Sequence, residues 1–318
     1  MKWSYSTHNT MRRCVRQLAF GQVVASPMSS DPFRKEAYVC KQLQHLSTWQ
    51  GSIVHATLAT HFLADLRGGR RSSVVRLAEE AKSLARRQFG FSAAKRFREA
   101  DMSKHRAGEQ YCALYEHDHD LEVSASDLDR VFANIDVCFR NLSTQSELLA
   151  RLRGARDYQS EIPLSFELDG VRVVAKLDLV CQDQAGKLTV VDWKVSESET
   201  SDYSKQLLVY ALAIHRSQRW RSVSGIDLIE ANLLRGEVRY HNLAIDHLHQ
   251  AEDFVYRSTS QLKNLLAGGD YESLDLADLD VARSPNTCRY CNYAALCVKS
   301  LLSEGKAPEA LAIQGMLL

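Results

Sequence analysis

The sequence predicts an α/β fold built on a mixed sheet. Three observations carry that expectation. From about Gly51 to Leu152, apolar residues recur at helical spacing. The period then shortens: "IPLSFELDGVRVVAKLDLVCQDQAGKLTVVDWK" is rich in Val and Leu, and is broken by Asp169-Gly170 and by "DQAG", both turn signals. A helical stretch and two more strand-like runs follow, so a helix is embedded in the sequence of the sheet.

In the first half, "GSIVHATLATHFLADLR", "VVRLAEEAKSLARRQFG" and "ASDLDRVFANIDVCFRNLSTQSELLARLRG" each carry an apolar stripe, the last with Ser126 or Asp127 as its start signal. The strand-rich region reads as three antiparallel strands. A helix is expected from about Ser201 to His215, then "IDLIEANLL" and "EVRYHNLA" joined by Arg235-Gly236. A long helix, "IDHLHQAEDFVYRSTSQLKNLLAG", ends at Gly268-Gly269. The expected organisation is one domain over 1–318, with a largely helical insertion at 56–158, a sheet core at 159–245 and a cysteine cluster at 283–300.

Composition narrows the class. With 45% apolar and 25% charged residues the chain is an ordinary globular one. Its net charge of +1 means that any nucleic-acid surface must be local. No glycine-rich loop ending in Gly-Lys-Ser/Thr is present, so the chain shows no ATP motor of its own. The opening "MKWSYSTHNTMRRCVRQLAF" lacks the apolar region of a secretory signal, and the longest apolar run, Leu207 to Ile214, is too short to span a bilayer. A soluble protein of the reducing cytoplasm is expected, without membrane partners. There, eight cysteines are thiols or metal ligands rather than disulfides.

Two acids stand where a hydrophobe would be expected: Asp178 in "AKLDLV" and Asp192 in "VVDWK". The strand period of two places Asp192 and Lys194 on one face, at the end of a row containing Leu188 and Val190. Asp178 is expected near the end of the preceding strand, so that the two carboxylates converge at one end of the sheet beside an ammonium. Neighbouring carboxylates raise each other's pKa unless a cation separates them, and Mg²⁺ or Mn²⁺ would do so. Lys194 would then orient or deprotonate a metal-bound water for attack on a phosphodiester. Spacing alone equally allows a sheet-edge ion pair. On the next helix, Gln206 and Tyr210 lie four apart on one face, with Leu207, Leu208, Ala211 and Leu212 on the core side. That pair either positions the lysine, the water or a phosphate, or is simply a surface Gln and a half-buried Tyr.

Taken together, "AKLDLV", "VVDWK" and "QLLVYA" resemble the PD-(D/E)xK nuclease superfamily, and most of all its RecB/AddB-like branch, which includes the Cas-four-type iron–sulfur exonucleases of CRISPR loci. Members of that branch carry a Gly-x-x-x-His segment upstream, and "GSIVH" supplies Gly51 and His55. The resemblance implies His55, Asp178 and Asp192 as metal ligands, with the Trp193 backbone carbonyl as a further one, and Lys194, Gln206 and Tyr210 as catalytic partners. It implies a metal-dependent DNase, an exonuclease on single-stranded or end-exposed DNA, in repair or phage defence. A partner such as a helicase or defence-system subunit is also implied. The rival reading is a nucleic-acid-binding adaptor subunit. One departure concerns the first acid, which relatives set in "G-x-I-D-R"; here it stands in Lys176-Leu177-Asp178-Leu179.

Three of the eight cysteines cluster as "CRYCNYAALC": Cys288, Cys291 and Cys297. Three thiolates are one short of a closed four-ligand site. Iron–sulfur members of the branch open with a "Ser-Tyr-Ser … Cys" segment, and "SYSTHNTMRRC" ends in Cys14. The resemblance therefore implies one 4Fe–4S cluster on Cys14, Cys288, Cys291 and Cys297, stapling the N- and C-terminal segments. Zinc is the competing metal, and Cys40 the rival for the N-terminal ligand. Arg12, Arg13, Arg16, Arg283, Arg289 and Lys299 gather around these cysteines in sequence. A second basic stretch, "RRQFGFSAAKRFREADMSKHR", interleaves Phe89, Phe91 and Phe97, a pattern suited to single-stranded DNA or to a plain amphipathic helix with its Phe in the core.

Overall fold

The computed structural model describes all residues except 199–202, 218, 221–224, 267–268, 283 and 318. Six strands form one sheet: β1 (Lys2–Trp3), β2 (Arg156–Leu168), β3 (Val171–Gln182), β4 (Leu188–Lys194), β5 (Ile226–Asn232) and β6 (Glu237–His241). The helices that matter below are α1 (Tyr5–Arg13), α2 (Val15–Ala19), α3 (Leu46–Thr57), α4 (Val74–Ala93), α5 (Ala125–Thr144), α6 (Ser204–Arg216), α7 (Ile245–Leu265), α8 (Pro285–Arg289) and α9 (Ala294–Ser303). The strand order is β1-β3-β4-β5-β6, with β2 also on β3. β3–β4 and β5–β6 are antiparallel, whereas β4–β5 and β1–β3 are parallel. The mixed α/β sheet expected from the sequence is therefore present.

Two compact units share the chain. One comprises Met1–Leu43, Glu167–Val174 and Asp253–Leu318; the other comprises Gln44–Phe166 and Ala175–Glu252. In the second, the core gathers Trp49, Ile53 and Val54 of α3, Leu77, Ala81 and Ala85 of α4, and Ile135 and Phe139 of α5 against Val191, Trp193 and Ile229 of the sheet. These side chains recur every three or four residues along each helix, so each buries one apolar stripe. In the first, Phe20, Cys40, Tyr293, Leu296 and Leu301 form a smaller core, and Trp3 of β1, fully buried, donates its Nε1–H to Ser258 Oγ of α7 at 2.8 Å.

Local chemistry explains the boundaries. Asp169 and Gly170 both have positive φ, 49° and 72°, which is the geometry of a two-residue hairpin turn between β2 and β3. The start of α5 differs from the sequence expectation. Ser124 is the N-cap, and Asp127 completes a reciprocal capping box with it, so Ser126 lies inside the helix. The crossover helix begins, among described residues, at Ser204, and the expected start at Ser201 lies outside them. Gly268 lies outside them too; Gly269, with φ of 86°, follows α7. Strand β1 had no counterpart in the sequence reading, because two residues carry no period.

Candidate active site

Asp192 is the centre of the site. The sequence left open an ion pair at a sheet edge, but β4 lies between β3 and β5, and Asp192 is 1% exposed. Nor is Asp178 near the end of its strand: β3 continues to Gln182, because Leu179–Gln182 pair with Leu188–Val191. That register sets Asp178 beside Asp192, and Asp178 Oδ2 accepts the Trp193 backbone N–H at 2.9 Å.

A network surrounds the Asp192 carboxylate. Lys194 Nζ lies 2.6 Å from Oδ2 and donates to Gln206 Oε1 at 3.0 Å. Gln206 Nε2 donates to Asp192 Oδ1 at 3.2 Å and to the Tyr210 hydroxyl at 2.5 Å. The Tyr210 hydroxyl in turn donates to Asp192 Oδ1 at 3.3 Å. Helix α6 thus brings Gln206 and Tyr210, one turn apart, onto the acid–lysine pair. Tyr210 is buried rather than half-exposed. Burial and then the charges of Asp192 and Asp178 hold its hydroxyl well above the ordinary tyrosine range, so it remains a donor. Tyr203 adds its ring face at 4.2 Å from Lys194 Nζ.

On the other side, His55 of α3 places Nδ1 3.6 Å from Asp178 Oδ1. His55, Asp178 and Glu161 of β2 each offer a ligand atom within 4.8 Å of the others. Glu161 was not anticipated from the sequence. Its φ of 55° is left-handed within a strand that runs unbroken from Arg156 to Leu168. Glu161 also pairs with Lys176, the basic residue displaced from the usual position beside the first acid. Gly51 is not sterically required: a Cβ there would meet Val195 at an ordinary 3.8 Å.

The donor set tests whether a divalent cation fits. It comprises carboxylate oxygens and one imidazole, which suit Mg²⁺ or Mn²⁺. Asp192 Oδ2 is buried and, beyond the lysine contact, receives no well-directed hydrogen bond. Burial first, and then the Asp178 charge, push Asp192 up to about 6, against the pull of Lys194 and His55. Burial opposes the charged form of His55, but Asp178, through its hydrogen bond and charge, followed by Asp192 and Glu161, raises it overall. The upward pull of the acids on His55, and the smaller push of Asp178 on Asp192, come from negative charge that a bound cation would offset. Such an ion would acidify a bound water and neutralise charge on a phosphodiester. Lys194 would hold or move a proton at that water, while Gln206 and Tyr210 keep its ammonium and Asp192 in register.

A pH dependence follows. Asp192 titrates higher in the folded than in the unfolded chain, so the metal-free protein loses stability as pH rises from about 4 to about 6. His55, also raised, contributes stability below its ordinary value and loses it as pH climbs through the raised one. Asp192→Asn mimics the protonated acid. At about pH 8 in EDTA it is expected to raise the melting temperature by on the order of 5 °C, a gain that vanishes at about pH 4. Thermal melts across pH check this; an unchanged or lower melting temperature at pH 8 contradicts the account.

The PD-(D/E)XK nuclease superfamily profile matches residues 2–298. The chain belongs to the PD-(D/E)XK nuclease superfamily. Its membership makes the chain a nuclease by family. No curated protein matches it. Among solved structures it is similar to the protein SSO0001, at 16% identity over 59% of this chain and 80% of that one, with a TM-score of 0.31. A protein from Eubacterium rectale named only as a candidate exonuclease is 14% identical over 78% of this chain and 91% of that one, TM-score 0.33. VC1899 of Vibrio cholerae is 10% identical over 80% and 61%, TM-score 0.23. These likenesses are too distant to carry an argument about this nuclease's substrate.

In the first unit, Cys14, Cys288, Cys291 and Cys297 line one pocket with Phe20 and Ile313, partly open to solvent. Cys40 does not line it; it is buried in the adjoining core. Burial pushes the Cys291 thiol up to about 12. Cys112, Cys138 and Cys181 are buried elsewhere, and burial raises each to about 12. The basic residues fare differently from expectation. Arg16 is fully buried, so it cannot reach a phosphate backbone, and Arg283 lies outside the described residues. In the second basic stretch Arg87, Lys95, Arg96 and Arg98 each pair with an acid. Phe91 and Phe97 are core residues, and Phe89 packs partly buried against Trp49. No helix among the described residues is long and apolar enough to cross a membrane.

Proposed function

We propose that the protein is a metal-dependent deoxyribonuclease that hydrolyses phosphodiester bonds in single-stranded or end-exposed DNA, as an exonuclease. The observation that carries this reading is the buried Asp192 carboxylate, held by Lys194, Gln206 and Tyr210 and lying beside Asp178. A structural ion pair has no need of the neighbouring group in which His55, Glu161 and Asp178, the acid beside Asp192, bring their ligand atoms within 4.8 Å of one another. In this reading His55, Asp178, Asp192, Glu161 and the Trp193 carbonyl supply ligands for Mg²⁺ or Mn²⁺, Lys194 serves the attacking water, and Gln206 and Tyr210 position it. A reducing compartment such as the cytoplasm suits its eight cysteines, none of them in a disulfide.

The same reading assigns a 4Fe–4S cluster to Cys14, Cys288, Cys291 and Cys297. Their shared pocket supports the ligand set. Zinc, which four thiolates also suit, is the competing occupant of the same pocket.

Cleavage of DNA by the purified protein in Mn²⁺ or Mg²⁺, abolished by EDTA, tests the nuclease reading. The ligand roles have their own test. His55→Ala and Glu161→Gln are each expected to weaken metal binding, so the Mn²⁺ concentration for half-maximal cleavage rises roughly 10–100-fold and high Mn²⁺ restores much of the rate. A variant with a lowered melting temperature and a flat Mn²⁺ response would remove that residue from the site.

A further inference from the structure

Arg16 follows Cys14 in the chain, on the short helix α2 that the Cys14 sulfur caps by accepting the Gln17 N–H at 3.4 Å. Its side chain is fully buried. Four bonds immobilise the far end of the guanidinium. Nη1 donates to the Leu276 carbonyl at 2.5 Å and to Glu304 Oε2 at 3.0 Å; Nη2 donates to Ser300 Oγ at 3.0 Å and Glu304 Oε1 at 2.7 Å. The Nε–H is left over: it is buried and makes no well-directed hydrogen bond among the described residues, although the guanidinium lies close enough to interact with the Cys297 sulfur. Arg16 lines the same pocket as the four cysteines, and its guanidinium lies beside Cys297.

Stability alone does not account for this arrangement. A buried arginine–carboxylate pair is commonly no better than apolar side chains of the same volume, and an unmet buried N–H makes it worse. An acceptor inside the pocket completes it. Neutral thiols are weak acceptors, whereas thiolates and sulfides bound to iron are anionic and accept N–H well.

We propose that Arg16 donates its Nε–H to a sulfur of a four-thiolate iron–sulfur cluster in this pocket and raises the cluster's reduction potential. The inference rests on the iron–sulfur assignment above. A hydrogen bond to a cluster sulfur favours the more negative, reduced state, and because Glu304 balances the Arg16 charge the effect rests on that bond. Glu304, Ser300 and the Leu276 carbonyl serve to hold the guanidinium rigid, so the Nε–H stays aimed at the cluster.

The test compares anaerobically purified wild type with the double variant Arg16→Met/Glu304→Met, which removes the charge pair together and so leaves no buried ion alone. Iron and sulfide content, circular dichroism and a potentiometric titration with dithionite are read on both. The expected result is a folded, iron-loaded double variant whose midpoint is lower by at least 59 mV, a tenfold shift in a one-electron equilibrium. Equal midpoints in two loaded proteins would overturn the role of Arg16 and leave the cluster assignment standing. Wild type holding only zinc would overturn the cluster assignment, and this inference with it. If the double variant fails to fold, reduced wild type labelled with ¹⁵N-arginine decides by electron–nuclear double resonance. One strong ¹⁵N coupling, lost in Arg16→Lys, is expected, and its absence from wild type contradicts the proposal.

Discussion

Replacing Lys194 by alanine is expected to lower DNA cleavage by roughly 10²–10⁴-fold at saturating Mn²⁺, with DNA binding and metal affinity little changed. The reason is positional. The ammonium touches Asp192 Oδ2 and Gln206 Oε1, whereas the ligand atoms that gather for a cation belong to Asp178, His55 and Glu161, so Lys194 is not itself part of the donor set. Added metal therefore cannot replace it. Asp178→Ala and Asp192→Ala are expected to abolish cleavage as well, but with loss of metal binding, which calorimetric titration with Mn²⁺ separates from the lysine's effect. Gln206→Ala and Tyr210→Phe act through Lys194 and Asp192, and are expected to cost less than Lys194→Ala while shifting the pH–rate profile. Wild-type cleavage by Lys194→Ala would show that this acid–acid–lysine end is not where the chemistry happens.

The second large effect concerns the thiols. A cluster with four thiolate ligands needs all of them, so Cys14→Ser is expected to behave like Cys291→Ser although the two stand 277 residues apart in sequence (291 − 14). Protein purified without oxygen should be brown and hold iron and sulfide. Both variants should lose the colour and melt at a lower temperature, because α2, α8 and α9 would no longer be tied to one centre. Cys40→Ser, Cys112→Ser and Cys181→Ser should keep the colour, since none of these lines the pocket. Retention of full iron by Cys14→Ser with loss in Cys40→Ser would transfer the fourth ligand to Cys40. A colourless wild type containing zinc would make the pocket a structural zinc site.

Much of the site was legible because strands announce misplaced charge. Asp178 and Asp192 stand out in apolar runs, the period of two ties Lys194 to Asp192, and the period of a helix ties Gln206 to Tyr210. Those local rules survive in three dimensions because β4 is an inner strand and α6 follows it in the chain. Glu161 escaped because it is a left-handed residue inside β2, and no period reports that. Glu230 escaped despite giving the same signal as Asp192, an acid within "IDLIEANLL". The parallel register sets it directly beside Asp192, 3% exposed, with Arg239 at 3.4 Å. Without β6 in place, nothing in the sequence says that this second buried acid has an arginine opposite. For the second basic stretch the plainer of the two readings holds, with Phe91 and Phe97 in the core. Sequence shows where Arg and Lys cluster but not that Glu304, Asp118 and Asp120 fold back onto Arg16, Arg98 and Lys95.

The most direct test of the central claim is cleavage of end-labelled single- and double-stranded DNA by wild type and Asp192→Asn, prepared identically, in Mn²⁺, Mg²⁺ and EDTA. The account predicts cleavage by wild type in Mn²⁺ or Mg²⁺, with single-stranded or end-exposed substrate shortened first, none in EDTA, and none by Asp192→Asn under any condition even though that variant is folded. Cleavage that persists in EDTA or in Asp192→Asn, or a folded wild type that binds DNA and cuts none of it with either metal, would contradict the account.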